Sequence, residues 1–215
     1  MPVAAQGDRR LDPRTVRSIS AYDAAAEAYQ QAWWDQRPLD AVRTFARLAG
    51  RGATVIDGAA GPVLDVRALR DAGLFVVAGD RAASAMEIGA KLFPKKPLAV
   101  WDYRRLPFAD DTFGGVWAPA ALQHLPRGEM RAGFTELRRV HRTGPIFVSF
   151  REGSGDLEIV EDPPVGEVHA TSVTEAELKA LLADQGYGQI EVERRPDPAG
   201  RRGITWLYGW GRLRA

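Results

Sequence analysis

Cysteine is absent from all 215 residues. Disulfide bridges, thiolate nucleophiles and cysteine-ligated zinc are therefore excluded. Long apolar runs are missing too: none reaches the roughly 18 residues that a membrane-spanning helix needs. Residues 1–17 lack the apolar segment of a secretory signal and carry Asp8, Arg9, Arg10, Asp12, Pro13 and Arg14 instead. The sequence predicts a flexible tail there and a cytoplasmic chain. An excess of one charge is also lacking, since 29 Lys+Arg face 28 Asp+Glu and leave +1. That balance demands neither nucleic acid nor an anionic membrane as partner. Only three histidines occur. None has metal-ligand spacing with Asp or Glu, so no metal is expected, and His141 and His169 read as surface residues.

What is present suits one α/β domain over residues 18–215. Ser20 and Asp23 have the spacing of a capping box, and Tyr22, Ala25, Ala26 and Tyr29 share a helical face behind it. Pro38 opens a second helix, with Leu39, Val42, Phe45, Ala46 and Ala49 as its apolar stripe. The pattern then alternates. Short apolar runs at 53–57, 74–78, 98–101, 115–118 and 145–150 read as strands buried on both faces. Helical segments at 63–72, 82–93 and 127–141 separate them. Residues 154–170 are acidic and Pro-rich, predicting a loop or lid. Thr174 and Glu177 form a capping box. A sixth strand begins near Ile190, and Ile204, Trp206, Tyr208 and Trp210 alternate along a seventh. No helix separates the last two strands, so they should pair antiparallel. The expected fold is a Rossmann-like open sheet of about seven strands, mostly parallel with one antiparallel strand near the edge, and helices on both faces.

Ligands of such a sheet bind beyond the carboxyl ends of its strands. Here those ends are Asp57, Asp80, Asp102 and Ala118. A carboxylate at a buried strand end is expensive unless it has donors to accept from, and ligand hydroxyls and amines are such donors. Asp80 follows Asp57 at close to the roughly 20-residue spacing at which an acid grips a ribose. The loop Gly58-Ala59-Ala60-Gly61 sits between a strand and a helix, and its small residues let backbone N–H groups approach a ligand. Asp102 is placed to meet an exocyclic amine. The loop lacks a G-x-G-x-x-G series and no catalytic Tyr/Lys pair is evident, which disfavours a nicotinamide oxidoreductase.

The run Val-Ile-Asp-Gly-Ala-Ala-Gly-Pro-Val at 55–63 resembles motif I of class I S-adenosylmethionine-dependent methyltransferases. So do Val-Val-Ala-Gly-Asp at 76–80, Trp-Asp-Tyr-Arg-Arg-Leu-Pro-Phe at 101–108, and Asp-Asp-Thr-Phe-Gly-Gly-Val-Trp at 110–117. Ala-Leu-Gln-His-Leu-Pro at 121–126 and the early Tyr22-Asp23-x-x-Ala26-x-x-Tyr29 complete the series. Order and spacing together are similar to the ubiquinone/menaquinone-biosynthesis type of small-molecule methyltransferase, over roughly residues 20–213. The resemblance implies S-adenosyl-L-methionine as cofactor, an unidentified small molecule as methyl acceptor, and transfer to O, N or C. It implies that residues 58–61 wrap the methionine part, that Asp80 binds the ribose hydroxyls and that Arg81 and Met86 flank the adenine. Asp102 and Tyr103 fall at the adenine edge and Ala118 under the sulfonium. Tyr22 and Asp57 join the cofactor-binding set. His124 faces the acceptor and Tyr29 closes over the methionine end, the two being the catalytic candidates. A monomer or weak homodimer is expected.

Only Gly61 survives of the motif's three glycines, because Ala59 and Val63 stand at the other two places. Val63 is β-branched and tolerates positive φ poorly. The reading places it comfortably in the first turn of the 63–72 helix, after Pro62. The alternative is a catalytically inactive methyltransferase-fold protein that acts as a ligand- or protein-binding module. Trp33, Trp34 and the aromatic strand 206–210 are candidates for an acceptor pocket or for plain core.

Overall fold

The computed structural model describes residues 10–36, 38–94 and 97–214. Five strands run parallel: β1 (Thr54–Asp57), β2 (Phe75–Asp80), β3 (Leu98–Val100), β4 (Val116–Pro119) and β5 (Gly144–Arg151). A hairpin, β6 (Glu158–Asp162) and β7 (Gly166–Ala170), stands apart from the main sheet. The chain returns through β8 (Gly188–Pro196) and β9 (Thr205–Leu213). The seven-stranded order is β3-β2-β1-β4-β5-β9-β8, with β9 antiparallel to both neighbours. The sheet therefore has the expected single reversal near an edge. Strand order changes direction between β1 and β4, which is the switch point where such sheets open a crevice.

Successive residues of the central strands face opposite layers. Ile56, Val116, Ala118, Ile146 and Val148 enter one core, while Val55, Trp117 and Phe147 enter the other. Helices α6 (Arg127–Val140) and α7 (Glu175–Ala183) cover the first face. Helices α3 (Leu39–Ala49), α4 (Val66–Asp71) and α5 (Ala83–Leu92) cover the second. All eight residues of β5 are buried, and Pro145–Val148 accordingly reads as an unbroken apolar run, with Ser149 and Arg151 only towards the carboxyl end. Thr174 caps α7 by accepting from Glu177 N at 3.2 Å, as its spacing predicts.

Several local readings are corrected. Helix α1 (Pro13–Ala24) begins well before Ser20. Asp12 caps it by accepting from Arg14 N at 2.8 Å, and Pro13 supplies a first-turn φ. Residues 13–17, expected as tail, are thus helical, and residues 1–9 lie outside the described residues. Asp23 caps no turn of its own helix. Its Oδ1 accepts from Ser84 N at 2.7 Å and so caps α5 from a distance. A break at Ala25 separates α1 from α2 (Ala26–Trp33). His141 is fully buried, not surface-exposed. Its ring bonds the Tyr187 hydroxyl at 2.9 Å and the Thr143 carbonyl at 2.8 Å, and burial pushes its pKa down to about 4. The segment 154–170 is ordered as the β6–β7 hairpin.

The Val63 reading also changes. Helix α4 begins only at Val66, and Val63 holds φ +58° in the preceding turn. That region costs a β-branched residue about 1–3 kcal/mol. The side chain is buried among the helices of the second face. It fits because Gly89 of α5 has no Cβ: one placed there would lie 2.8 Å from Val63 Cγ1 and 3.1 Å from Leu98 Cδ1. Gly89→Ala therefore overpacks the notch, costing about 1–3 kcal/mol, against about 1 kcal/mol regained in helix propensity. Val63→Gly relieves the turn, and in that background Gly89→Ala should become stabilising. Thermal melts of the four proteins should show a coupling of roughly 1 kcal/mol or more. Additive effects would rule out the notch.

Candidate functional site

A cavity of about 440 Å³ opens at the carboxyl ends of β1, β2 and β4, within the usual size range of ligand pockets. The structure brings most of the sequence-predicted residues to its wall: Tyr22, Tyr29, Asp57, Ala59, Ala60, Gly61, Asp80, Arg81, Tyr103 and His124. Gly58, Met86, Asp102 and Ala118 are not on the wall. Met86 and Ala118 are buried in the two cores. Val63 is not on the wall either.

The loop after β1 is fixed by its own backbone. Gly58 N donates to Trp117 O at 3.0 Å, Ala60 N to Gly79 O at 3.0 Å, and Gly61 N to Asp80 Oδ2 at 2.9 Å. Trp101 Nε1 donates to Gly58 O at 2.9 Å. Its indole lies against β2 because a Cβ on Gly79 would sit 2.5 Å from that ring. The N–H groups expected to face a ligand are thus occupied in holding the loop's shape. Asp80 accepts from both Gly61 N and, through Oδ1 at 2.9 Å, Ala82 N, so it ties the loop to the start of α5.

Two strand-end carboxyls face the cavity under different constraints. Burial lifts the pKa of Asp57 well above the usual carboxylate range, and the charges of Asp65 and Asp80 add to it. Its Oδ1 is buried with no hydrogen-bond partner among the described residues. Burial also raises Asp80, opposed by the N–H groups of Ala82, Gly61 and Arg81. The Asp57 Oδ1 is an acceptor in want of a donor, and two buried carboxyls at one cavity fit a ligand carrying hydroxyls and positive charge. Asp102 behaves otherwise. It is clamped by Arg81 and by Arg104, whose Nη2 lies 2.8 Å away, and it accepts from Arg104 N at 2.9 Å. Burial opposes its ionisation, yet the Arg104 hydrogen bonds and both arginine charges hold its pKa below the ordinary value. Its proximate role is to fix Arg81, which does reach the cavity.

The cavity lining is also aromatic. Tyr22 packs edge-on to Tyr29 (5.5 Å) and to His124 (5.2 Å), and Trp33 follows at 6.0 Å from Tyr29. Trp206 and Tyr208 of β9 also line the cavity, whereas Trp210 is core. Tyr22 donates to Asp162 Oδ2 at 2.5 Å. Trp33 Nε1 donates to Pro163 O at 3.2 Å. These bonds, with Ser18 Oγ accepting from His169 N at 2.8 Å, pin α1 and α2 to the β6–β7 hairpin over the cavity. Burial raises the pKa of both Tyr22 and Tyr29, keeping them as neutral phenols.

His124 sits in the 3₁₀ turn Leu122–His124. Its Nδ1 lies 3.0 Å from His169 O. A carbonyl only accepts, so Nδ1 carries the proton and Nε2 keeps a lone pair. Burial lowers the pKa of the ring, which favours that neutral form, against the His169 bond and the charges of Asp162 and Asp80.

Sequence reasoning missed Asp65, Asp162, Gln123, Ser149 and Arg201, all on the wall. Asp65 Oδ2 accepts from Trp117 Nε1 at 2.9 Å. Arg201 pairs with Asp197 at 2.8 Å and reaches Asp162 at 3.4 Å. Among the described residues no His/Asp/Glu group could hold a metal, and no helix is long and apolar enough to cross a membrane.

An open α/β sheet with acids at the tips of adjacent parallel strands, both facing one switch-point cavity, is the architecture of a nucleoside-binding domain. A family model described as a methyltransferase domain matches residues 56–149. A demethylmenaquinone methyltransferase of Corynebacterium urealyticum is 32% identical over 178 residues, covering 80% of this chain and 70% of its own. The Streptomyces avermitilis protein of the same name is 30% identical over 216 residues, covering 91% and 90%. In fold, the chain is similar to the 1,6-didemethyltoxoflavin-N1-methyltransferase of Burkholderia thailandensis, crystallised with 1,6-didemethyltoxoflavin and S-adenosylhomocysteine. The TM-score is 0.71 at 18% identity, covering 100% and 99% of the two chains. The chain belongs to the class I S-adenosylmethionine-dependent methyltransferases.

Proposed function

We propose that this protein methylates an O, N or C atom of a small planar molecule, holding S-adenosylmethionine along the β1–β2 side of the cavity and the acceptor along the aromatic side. The observation that carries this reading is the mixed lining of one cavity, with buried strand-end carboxyls and a set of rings together. Asp57 and Asp80 supply the carboxyls; Tyr22, Tyr29, Trp33, His124, Trp206 and Tyr208 supply the rings. The relatives' name points to an aromatic acceptor, and a wall of rings suits a flat one.

When bound, the cofactor supplies a methyl group already activated by its sulfonium, so the reaction is a direct displacement. Asp80 accepts from the ribose hydroxyls, Arg81 and Tyr103 border the adenine, and the Asp57 carboxyl faces the positively charged methionine end. The neutral phenols of Tyr22 and Tyr29 close the cavity and exclude water. Positioning provides much of the rate. His124 takes the acceptor's proton at Nε2 when the nucleophile retains one. No described residue is placed to offer a covalent relay, and none is needed.

Titration with S-adenosylhomocysteine tests the reading. The expected result is calorimetric heat and a melting temperature that climbs with ligand concentration. No heat and no shift at millimolar ligand would count decisively against it and in favour of the inactive binding-module alternative.

A further inference from the structure

Asp162 stands where α1, β5, β6 and the turn 197–203 meet. It is 7% exposed and lies on the cavity wall. Its two oxygens are divided between partners. Oδ1 faces the guanidinium groups of Arg201, at 3.4 Å, and Arg151, at 3.6 Å. Oδ2 accepts from the Tyr22 hydroxyl at 2.5 Å. Arg201 is already neutralised by Asp197, which accepts from its Nε at 2.9 Å and its Nη2 at 2.8 Å. Arg151 is held less tightly. Its Nη2 donates to Glu161 O at 3.1 Å, and its buried Nε has no hydrogen-bond partner among the described residues. The shortest bond to Asp162 is therefore the one from Tyr22, whose ring packs edge-on against His124 with centroids 5.2 Å apart. The hairpin that carries Asp162 also carries His169, whose carbonyl fixes His124 Nδ1 at 3.0 Å. One hairpin thus holds His124 from two sides, by a carbonyl and, through Tyr22, by a carboxylate.

We propose that Asp162 is a positioning residue for methyl transfer: through Tyr22 it steadies the His124 ring, and its charge supports the proton that His124 receives. This rests on the reading of His124 as the base. His124 takes the acceptor's proton at Nε2 in the same turnover in which the methyl–sulfur bond breaks and the acceptor–methyl bond forms. The sulfonium charge disappears and an imidazolium charge appears, so positive charge moves from sulfur to the ring within one cavity. A buried cation is costly unless an opposite charge is near. The charged and titratable neighbours of the ring are Tyr22 from α1, Asp80 from β2, Arg151 from β5, Asp162 from β6 and His169 from β7. At the start of α6, Arg127 is paired with Glu177. Asp80 and Asp162 favour the imidazolium and Arg151 opposes it. Asp80 is committed to Gly61 N and Ala82 N, which leaves Asp162 as the carboxylate that serves the base. A carboxylate that only anchored the hairpin could be replaced by a neutral amide without effect on the ring. One that supports a proton on His124 could not.

Nitrogen-15 NMR of the three histidine rings tests this without an acceptor. The neutral His124 ring of the natural protein should carry its proton on Nδ1. Asp162→Asn, which keeps an oxygen for the Tyr22 hydroxyl and loses the charge, should move the His124 titration midpoint down by about half to one pH unit. Arg151→Gln should move it up by a similar amount. His141, buried against Tyr187 at the other end of β5, is the internal control, and its signals should stay in place in both variants. Arg151→Gln leaves Asp162 with Arg201 and Tyr22, so it decides the matter even if Asp162→Asn fails to fold. Tyr22→Phe keeps the charge and loses the bond, and it should speed exchange of the His124 Nδ1 proton with water. An unchanged midpoint in Arg151→Gln, shifts of the same sign in the two charge variants, a proton on Nε2 in the natural protein, or an unchanged exchange rate in Tyr22→Phe would each overturn the proposal. The titrations are run with and without S-adenosylhomocysteine. Failure of that ligand to bind would strike the methyltransferase reading, while the histidine midpoints still decide whether Asp162 acts on His124.

Discussion

Asp80→Ala is expected to weaken S-adenosylhomocysteine binding by roughly 10²–10⁴-fold. Two charge-assisted hydrogen bonds to ribose hydroxyls contribute about 1.5–3 kcal/mol each, and every 1.4 kcal/mol is a factor of ten. The same carboxylate accepts from Gly61 N and Ala82 N, so its loss also loosens the glycine loop. A second variant separates the two effects. Asp80→Asn keeps one acceptor oxygen at the same reach and retains one of those internal bonds, but it loses the charge. It should melt within a few degrees of the natural protein and still lose most of the affinity. If Asp80→Asn binds normally by calorimetry, the ribose assignment fails and Asp80 is only a loop tie. The pH dependence has a definite sign. Burial raises the Asp80 pKa above the usual carboxylate value, so affinity should fall as pH drops through that raised value and recover as pH rises. In the free protein the sign for stability is opposite. A carboxyl with a raised folded pKa favours the fold most at low pH, and that contribution is lost as the group ionises. Retaining Asp57 and Asp80 buried therefore costs stability at neutral pH, which is the pattern of a site kept for ligand binding.

The architecture was legible because parallel strands covered on both faces leave a plain trace. Runs such as Phe75–Ala78 and Pro145–Val148 have no polar interruption, and each parallel pair needs a helix between. Asp57 and Asp80 were legible for the same reason: once the strand ends are placed, topology carries them to one crevice. What escaped depends on partners distant in sequence. His141 sits among Arg138, Arg139 and Arg142 and reads as surface; its burial depends on a hydroxyl 46 residues away, on Tyr187. Asp102 was placed at the right strand end, but nothing in the local sequence says that Arg81 and Arg104 both take its carboxylate. Gln123 is one polar residue inside Ala-Leu-Gln-His-Leu, and only the cavity distinguishes it from a surface residue of a short turn. The β6–β7 hairpin was hidden by Glu158, Glu161, Asp162 and two prolines at its tip, a composition that ordinarily marks a loop. One signal was available and unused: Asp12-Pro13 is a helix start, an N-cap followed by the residue that best tolerates the first turn. The altered glycine motif was read from the wrong side. Val63 takes the positive φ that glycine usually supplies, and the compensation lies across the interface, at Gly89.

His124→Gln should lower kcat by about 10²–10⁴-fold for an acceptor whose nucleophile holds its proton at neutral pH, with S-adenosylhomocysteine affinity unchanged. The argument turns on which ring nitrogen is free. Nδ1 is committed to His169 O at 3.0 Å, so the available lone pair is on Nε2, and the ring lies on the cavity wall beside Tyr22. Tyr22 and Tyr29 are held neutral by burial and the Asp162 charge, and neither can accept a proton usefully near pH 7. Asp80 is committed to two backbone donors. His124 is therefore the base we propose. Burial lowers its pKa, so the wild-type rate should rise with pH through a midpoint below the ordinary histidine value of about 6.5 and then level off. Glutamine at 124 preserves a polar side chain of similar reach but cannot take the proton, so that acid limb should vanish along with the rate. An acceptor already ionised at the assay pH needs no base, and with it the variant should retain most of its activity. A uniform loss for ionised and protonated acceptors alike would assign His124 to positioning, and an acid limb that persists in the variant would assign the proton to another group.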